Sequence, residues 1–179
     1  AATPIPNVMV LTYGKKMALP VSGSGEFSWI LTTEEGKQYQ GQARGGETLP
    51  LPFFATLVAH SQTPEALPLT FIAVEGETLV GTVGLWRCDL ISRQDLYPWM
   101  AALYVAPEAR GRGLAGKLQQ HVIGYARAQG YTELFLYSAC RDFYERFGWQ
   151  YIGEGLDYPA SAVSLYRYDL SLSRGAITE

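Results

Sequence analysis

The stretch with the clearest chemical potential lies in the middle of the chain, where residues 103–118 read Leu-Tyr-Val-Ala-Pro-Glu-Ala-Arg-Gly-Arg-Gly-Leu-Ala-Gly-Lys-Leu. An apolar strand is predicted to end at Val105, and a helix is predicted from Gly113, where apolar residues begin to recur at helical spacing. A glycine turn between a strand and a helix directs free N–H groups and the positive end of the helix dipole at one point. Arg110 and Arg112 add full charges there. The stretch therefore predicts a site that binds phosphate.

Several phosphate motifs compete for this stretch. The Gly-x-Gly-x-x-Gly pattern from Gly111 to Gly116 matches a dinucleotide fingerprint, but no acidic residue follows the next predicted strand, 134–137, as that motif requires. The same glycines with Lys117 nearly form a P-loop, but Leu118 stands where a hydroxyl should meet magnesium. An ordinary basic helix start capped by glycine is the alternative without a ligand.

A third motif fits the same stretch, and a separate motif later in the chain accompanies it. Arg110-x-x-Gly113-x-Ala115 fits the pattern (Gln/Arg)-x-x-Gly-x-(Gly/Ala), and residues 143–149 read Phe-Tyr-Glu-Arg-Phe-Gly-Trp. With these two motifs the sequence resembles the GNAT superfamily of N-acetyltransferases, in which the first motif binds the pyrophosphate of acetyl-CoA. The resemblance is close over residues 69–153 and loose over the first third of the chain.

The resemblance implies an α/β fold with a mixed, mostly antiparallel sheet of six or seven strands and helices on both faces. Strands are expected at 7–13, 70–74, 78–86, 99–105, 133–137, 149–153 and 163–170, where apolar runs end in turn residues. Glycines inside 78–86 indicate that another backbone or a ligand approaches closely. Helices are expected to begin near Thr32 and at Pro52, the latter covering 52–60.

The length of 179 residues suits one domain covering 1–179. Residues 22–27, Ser-Gly-Ser-Gly-Glu-Phe, resemble a flexible linker or a cloning junction, so whether 1–25 is native, a tag or loosely ordered stays open.

By the same resemblance the cofactor is acetyl-CoA. The end of the central strand would supply main-chain bonds to the acetyl group and pantetheine, and the turn would wrap the pyrophosphate. The residues concerned are Leu103, Tyr104, Val105, Arg110, Gly111, Arg112, Gly113, Leu114, Ala115 and Gly116.

Transfer of an acetyl group to an amine needs a base for the ammonium and an acid for the departing thiolate. Tyr144 occupies the motif position that lies beside the CoA sulfur in the family, so it is the expected acid. The predicted central strand carries no carboxylate, which departs from family members that have a glutamate there. Asp95, in the loop before this strand, is the candidate base or substrate anchor. Trp29, Asp89 and Trp99 are candidate contacts for the acceptor.

Composition narrows the class of protein further. A net charge of -3 does not favour nucleic-acid binding and suits a cationic amine from a small molecule or peptide. Two cysteines, no metal-ligand spacing and no long apolar run predict a cytoplasmic protein without a metal and without a membrane span. The expected function is acetyl transfer by direct attack in a ternary complex. A CoA-binding sensor or interaction module without turnover is the alternative, and a homodimer stays open.

Overall fold

The structure, a computed structural model, describes residues 8–11, 16–18, 26–32, 38–44, 66–75 and 78–171. Within these ranges the chain forms ten strands and one α-helix, α1 (Leu114–Ala128). The strands are β1 (Val8–Leu11), β2 (Lys16–Ala18), β3 (Glu26–Thr32), β4 (Gln38–Arg44), β5 (Leu69–Glu75), β6 (Thr78–Trp86), β7 (Trp99–Val105), β8 (Glu133–Ser138), β9 (Gln150–Asp157) and β10 (Ser161–Asp169).

The chain divides into two units, which are described separately. Unit 1 comprises Ala1–Val83 and Leu103–Leu118, and unit 2 comprises Gly84–Ala102 and Gln119–Glu179. The expectation of a single domain stays a prediction.

Unit 1 contains strands that pair mainly in antiparallel fashion. β1 pairs with β5, β2 with β3, and β3 with β4, all antiparallel, whereas β4 meets β6 in parallel at the pair Gln40 and Thr78. β5 also pairs with β6. The described core of this unit is apolar, with Phe71, Val83 and Leu118 fully buried.

A glycine in β6 lets the helix and the neighbouring chain approach this strand. A Cβ atom at Gly81 would lie 3.0 Å from the carbonyl oxygen of Tyr104 and 3.0 Å from Cδ1 of Leu118. Just beyond that point the amide of Ala106 donates a hydrogen bond of 2.8 Å to the carbonyl of Val80. The predicted close approach of another backbone in this strand is therefore confirmed.

Unit 2 contains a second group of strands. β8 pairs with β10 and β10 with β9, both antiparallel, and β7 runs parallel to β8. Its core packs Leu90, Trp99, Phe135, Val163 and Leu165 together.

β7 and β8 share a single pair of residues, Trp99 and Phe135, among the described residues of the two strands. The amide of Phe135 donates a 3.0 Å hydrogen bond to the carbonyl of Pro98 at this point. Three residues later Ala102 has φ of 53°, a left-handed conformation that interrupts extended backbone. The pairing of β7 with β8 thus ends after one rung.

The fold class predicted from the sequence is confirmed: the structure is mixed α/β with mostly antiparallel strands. All seven expected strands are present, as β1 and β5 to β10. β2, β3 and β4 are additional. Thr32 ends β3, where it pairs with Lys16 and Gln38, and residues 33–37, which a helix beginning near Thr32 would occupy, lie outside the described ranges. The helix expected at 52–60 lies outside the described residues, so helices on both faces stay a prediction.

Candidate active site

The predicted phosphate turn has the backbone conformation of an anion-binding site. Gly111 and Gly113 have φ of 77° and 78°, values that residues with a side chain rarely adopt. No atom lies within 4 Å of a Cβ placed on Gly111. The amide of Lys117 donates to the carbonyl of Gly113, so α1 begins with this bond. The N–H groups just before Lys117 have no acceptor within the helix. Because they stand at the positive end of the helix dipole, the turn suits a pyrophosphate.

Arg110 ties the turn to the end of β7. Its Nε donates a 3.0 Å hydrogen bond to the carbonyl of Val105, and its guanidinium lies 5.8 Å from the ring centre of Tyr104. Arg110 is exposed and Arg112 half-buried, so two positive charges flank the glycines at the surface of unit 1.

In unit 2, the loop between β6 and β7 is anchored in the core. Leu90 is fully buried among the core residues, and the amide of Arg93 donates to its carbonyl to close a turn. Ser92 Oγ donates to the carbonyl of Leu156, at the end of β9. Asp89 directly precedes Leu90, and Asp157 directly follows Leu156. Because the loop is anchored at Leu90 and at Ser92, Asp89 lies near Asp157.

Asp89 is the acid with the most perturbed environment in the described part of the chain. Burial raises the pKa of its carboxyl to about 7, and the nearby charge of Asp157 adds to the increase. The Tyr137 phenol has its pKa raised to about 12, first by burial and then by the charges of these two aspartates. The three groups therefore lie close enough to interact electrostatically.

Tyr144 belongs to the same group of residues. It begins a short 3₁₀ helix, Tyr144–Phe147, which ends at Gly148 with φ of 95°. Burial raises the pKa of the Tyr144 phenol, and the charge of Asp89 is the next largest cause. We call Asp89, Tyr137, Tyr144 and Asp157 the acid–phenol cluster.

The other candidate base, Asp95, has an ordinary surface environment. Its carboxylate accepts two hydrogen bonds from Arg93, of 2.9 and 2.8 Å, and its side chain is 61% exposed. Hydrogen bonding to Arg93 lowers the pKa of Asp95. A carboxylate with a lowered pKa binds protons weakly, so Asp95 is a weaker base than Asp89.

The two tryptophans predicted to contact the acceptor have different outcomes. Trp99 is fully buried in the core of unit 2, where its Nε1 donates a 2.8 Å hydrogen bond to the carbonyl of Leu96. These contacts place Trp99 in the core rather than on a surface that meets an acceptor. Trp29 lies in β3, and its side chain is outside the described part of the structure.

Sequence reasoning missed Asp157 and Tyr137, and assigned Asp89 a contact role only. Asp157 looks like a turn residue, and its Oδ1 does accept a hydrogen bond from the amide of Tyr158. Tyr137 looks like one more aromatic residue of a buried strand. The only local sign of the cluster in the sequence is that Asp89 directly precedes Leu90, an apolar residue that is buried in the structure.

Two findings within the described ranges concern metal ligation and membrane-spanning helices. No group of three or more His, Cys, Asp or Glu side chains there is arranged to hold a metal ion. None of the helices in the described ranges is both long enough and apolar enough to cross a membrane.

Known proteins share this architecture. The model of the Acetyltransferase (GNAT) family matches residues 33–149. An N-acetyltransferase from Staphylococcus aureus Mu50 superposes with a TM-score of 0.54 at 16% identity, over 74% of this chain and 82% of that one. A GNAT family acetyltransferase from Elizabethkingia anophelis, solved with acetyl-CoA bound, gives 0.56 at 12% identity, over 92% and 99% of the chains.

At such identities the solved structures show the fold alone, whereas the family match covers well over half of the chain. The glycine turn, the helix that follows it and this match agree, and the chain belongs to the GNAT family of acetyltransferases.

Proposed function

We propose that this protein transfers an acetyl group from acetyl-CoA to the amine of a small molecule or peptide, by direct attack in a ternary complex. The observation that carries the proposal is the acid–phenol cluster, in which a carboxyl with a pKa near neutrality neighbours a protonated phenol. Aminolysis of a thioester needs one group of each kind.

The residues of the turn fit acetyl-CoA by charge and by shape. Gly111 leaves open space at the backbone and Gly113 has a positive φ, the start of α1 offers N–H donors, and Arg110 and Arg112 supply positive charge. Leu103, Tyr104 and Val105 lie at the half-buried end of β7, and we assign them main-chain contacts to the acetyl group and pantetheine. When bound, acetyl-CoA supplies an activated acyl carbon with a good leaving group.

Asp89 is the residue we assign as the base. A free primary ammonium has a pKa of about 10.4 and is protonated at neutral pH, so it must lose a proton before its nitrogen can attack. A carboxyl with a pKa of about 7 is half ionised at neutral pH, and it is a stronger base than an ordinary aspartate. Its negative charge also attracts the cationic form of the amine.

Tyr144 is the residue we assign as the acid. Its raised pKa keeps the hydroxyl protonated at neutral pH, so the proton is available when the C–S bond breaks. A phenol with a raised pKa is a weak acid, so we expect proton transfer to accompany C–S cleavage rather than precede it.

Two aspartates of the same loop allow a matched test of the base. Thiol release from acetyl-CoA should be measured with polyamines, aminoglycosides, amino acids and peptides as acceptors. Asp89→Asn should lower kcat/KM by ~10²-fold, the usual contribution of a positioned base, whereas Asp95→Asn should leave it nearly unchanged. The opposite order would restore Asp95 as the base, and equal small effects would leave the deprotonation to water.

The same assay distinguishes the alternative function. Acetyl-CoA that binds by calorimetry without thiol release to any amine class would indicate a CoA-binding sensor. That outcome would leave the turn as the binding site and remove the catalytic roles of Asp89 and Tyr144.

A further inference from the structure

A glutamine of α1 is buried in an apolar environment, where polar side chains are rare. Gln119 is fully excluded from solvent, and its helix neighbours Leu118, Val122 and Ile123 are buried too. Its Oε1 accepts a 3.0 Å hydrogen bond from Nε1 of Trp149, which is itself 2% exposed. This bond joins two segments that are 30 residues apart in the sequence.

Stability alone does not explain the hydrogen bond between Gln119 and Trp149. Nε2 of Gln119 is buried and has no hydrogen-bond partner among the described residues. A buried amide donor without a partner costs free energy, a cost that apolar side chains in place of both Gln119 and Trp149 would avoid. A role beyond stability would explain why a glutamine stands here.

Trp149 contacts Tyr144 in two ways. The amide of Trp149 donates a 3.3 Å hydrogen bond to the carbonyl of Tyr144. The two rings also meet edge to face, with centroids 6.3 Å apart. The indole also packs against Tyr168, at 5.3 Å between centroids. The orientation of the indole therefore limits the positions that Tyr144 can take.

We propose that Gln119 and Trp149 are positioning residues for Tyr144: the amide of Gln119 fixes the indole, and the fixed indole holds the Tyr144 ring and backbone in place. This inference rests on the proposed function only in that Tyr144 is assigned there as the acid. All three residues belong to unit 2.

The direct test observes Tyr144 by NMR without any acceptor. Tyrosines labelled with ¹³C at Cζ would give the phenol signals, and the signal lost in Tyr144→Phe identifies Tyr144. Gln119→Met keeps the length and helix preference of the side chain but removes the acceptor of the Trp149 indole. The Tyr144 signal should shift, and its phenol should titrate at a lower pH, because a less restrained ring is more accessible to solvent. The charges of Asp89 and Cys140, which also act on this phenol, are unchanged in the variant.

Two further variants make the test specific. Trp149→Phe, which removes the indole N–H, should alter the Tyr144 signal in the same direction, and the double variant should differ little from the worse single one. Gln120→Leu makes a similar exchange at the next, exposed position of α1 and should leave the Tyr144 signal unchanged.

Thermal unfolding separates positioning from a purely structural role. The melting temperature of Gln119→Met should stay close to that of the native protein, since the variant removes the unpartnered amide donor of Gln119 but leaves the buried indole N–H of Trp149 without its acceptor. A folded Gln119→Met protein with an unaltered Tyr144 signal and titration would overturn the proposal. So would an equal change in Gln120→Leu, or a Gln119→Met protein that does not fold.

Kinetics separate this proposal from the proposed function. With an amine that the native protein acetylates, Gln119→Met should lower kcat by ~10-fold and leave KM for acetyl-CoA unchanged, since positioning affects the reacting groups only. A native protein that acetylates no amine would overturn the proposed function but would leave the NMR result standing.

Discussion

At the scale of single residues, environment decides what a side chain can do. Asp89 and Asp95 are the same residue type, six positions apart in one loop. Burial raises the pKa of the first to about 7, whereas hydrogen bonds from Arg93 lower the pKa of the second. Only the first has a pKa suited to taking a proton from an ammonium at neutral pH.

The proposed role of Tyr144 as the acid is tested by removing its hydroxyl. Tyr144→Phe keeps the ring contacts with Trp149, Tyr166 and Phe143. The melting temperature should therefore stay within about two degrees of the native value, while kcat falls by ~10²-fold, the usual worth of a positioned acid. Acetyl-CoA affinity by calorimetry is the control and should hardly change. An unaltered kcat would mean that water protonates the thiolate.

The effect of Asp157 on the pKa of Asp89 is tested through the pH profile of kcat/KM. Because the charge of Asp157 adds to the raised pKa of Asp89, Asp157→Asn should lower that pKa. The acidic limb of kcat/KM, expected near pH 7 in the native protein, should move to lower pH. Asp95→Asn, which leaves both cluster carboxylates in place, should leave the limb where it is.

Stability should respond to the same carboxyl in the opposite sense to an ordinary aspartate. The pKa of Asp89 is raised from 3.8 to about 7 in the folded state. The folded state thus binds this proton more tightly than the unfolded state. The stabilisation is complete below pH 4 or so and is lost as pH rises through about 7.

Asp89→Asn should therefore be more stable than the native protein at pH 8, and this advantage should shrink steadily as pH falls toward about 4. Urea unfolding of the two proteins over this range is the measurement. An advantage that does not depend on pH would contradict the raised pKa.

At the scale of elements, the start of α1 is the site that we propose for acetyl-CoA. Gly113→Asp would place a negative charge and a side chain with φ of 78° at the turn. Acetyl-CoA affinity should fall by at least ~2 kcal/mol, about thirtyfold, since charge and backbone strain both oppose binding. Gly124→Asp adds the same charge on the exposed part of α1, where a Cβ has open space, and is the matched control. Equal affinities in the two variants would remove this turn as the site.

The sequence predicts elements well where their signals are local. The apolar run that ends at Val105 and the helix after Gly113 follow from periodicity and glycine placement, and both are present as β7 and α1. The acid–phenol cluster could not be read in this way. Asp89 and Asp157 are far apart in sequence, and they meet only because Leu90 anchors one loop and Ser92 bonds to the end of β9.

Trp99 shows the same limit in the other direction. Its residue type fits an aromatic cleft, but its place at the start of β7 puts it in the core with Phe135 and Leu165. Which face of a strand is buried depends on what packs there, and the sequence of one strand does not contain that information.

At the scale of the whole molecule, the single rung between β7 and β8 has a consequence for amide hydrogen exchange. By the two-residue period of a strand, the amide of Tyr137 faces the same side of β8 as that of Phe135, which bonds to Pro98. Tyr137 lies beyond the last rung, so its amide should exchange faster than that of Phe135. We predict that a carbonyl of the pantetheine arm accepts a hydrogen bond from this amide, so acetyl-CoA should slow exchange at Tyr137 and leave Phe135 unchanged. The ligand would then supply the hydrogen-bond acceptor that β7 does not offer to Tyr137. Slower exchange at this one amide would report that acetyl-CoA is bound, without any turnover.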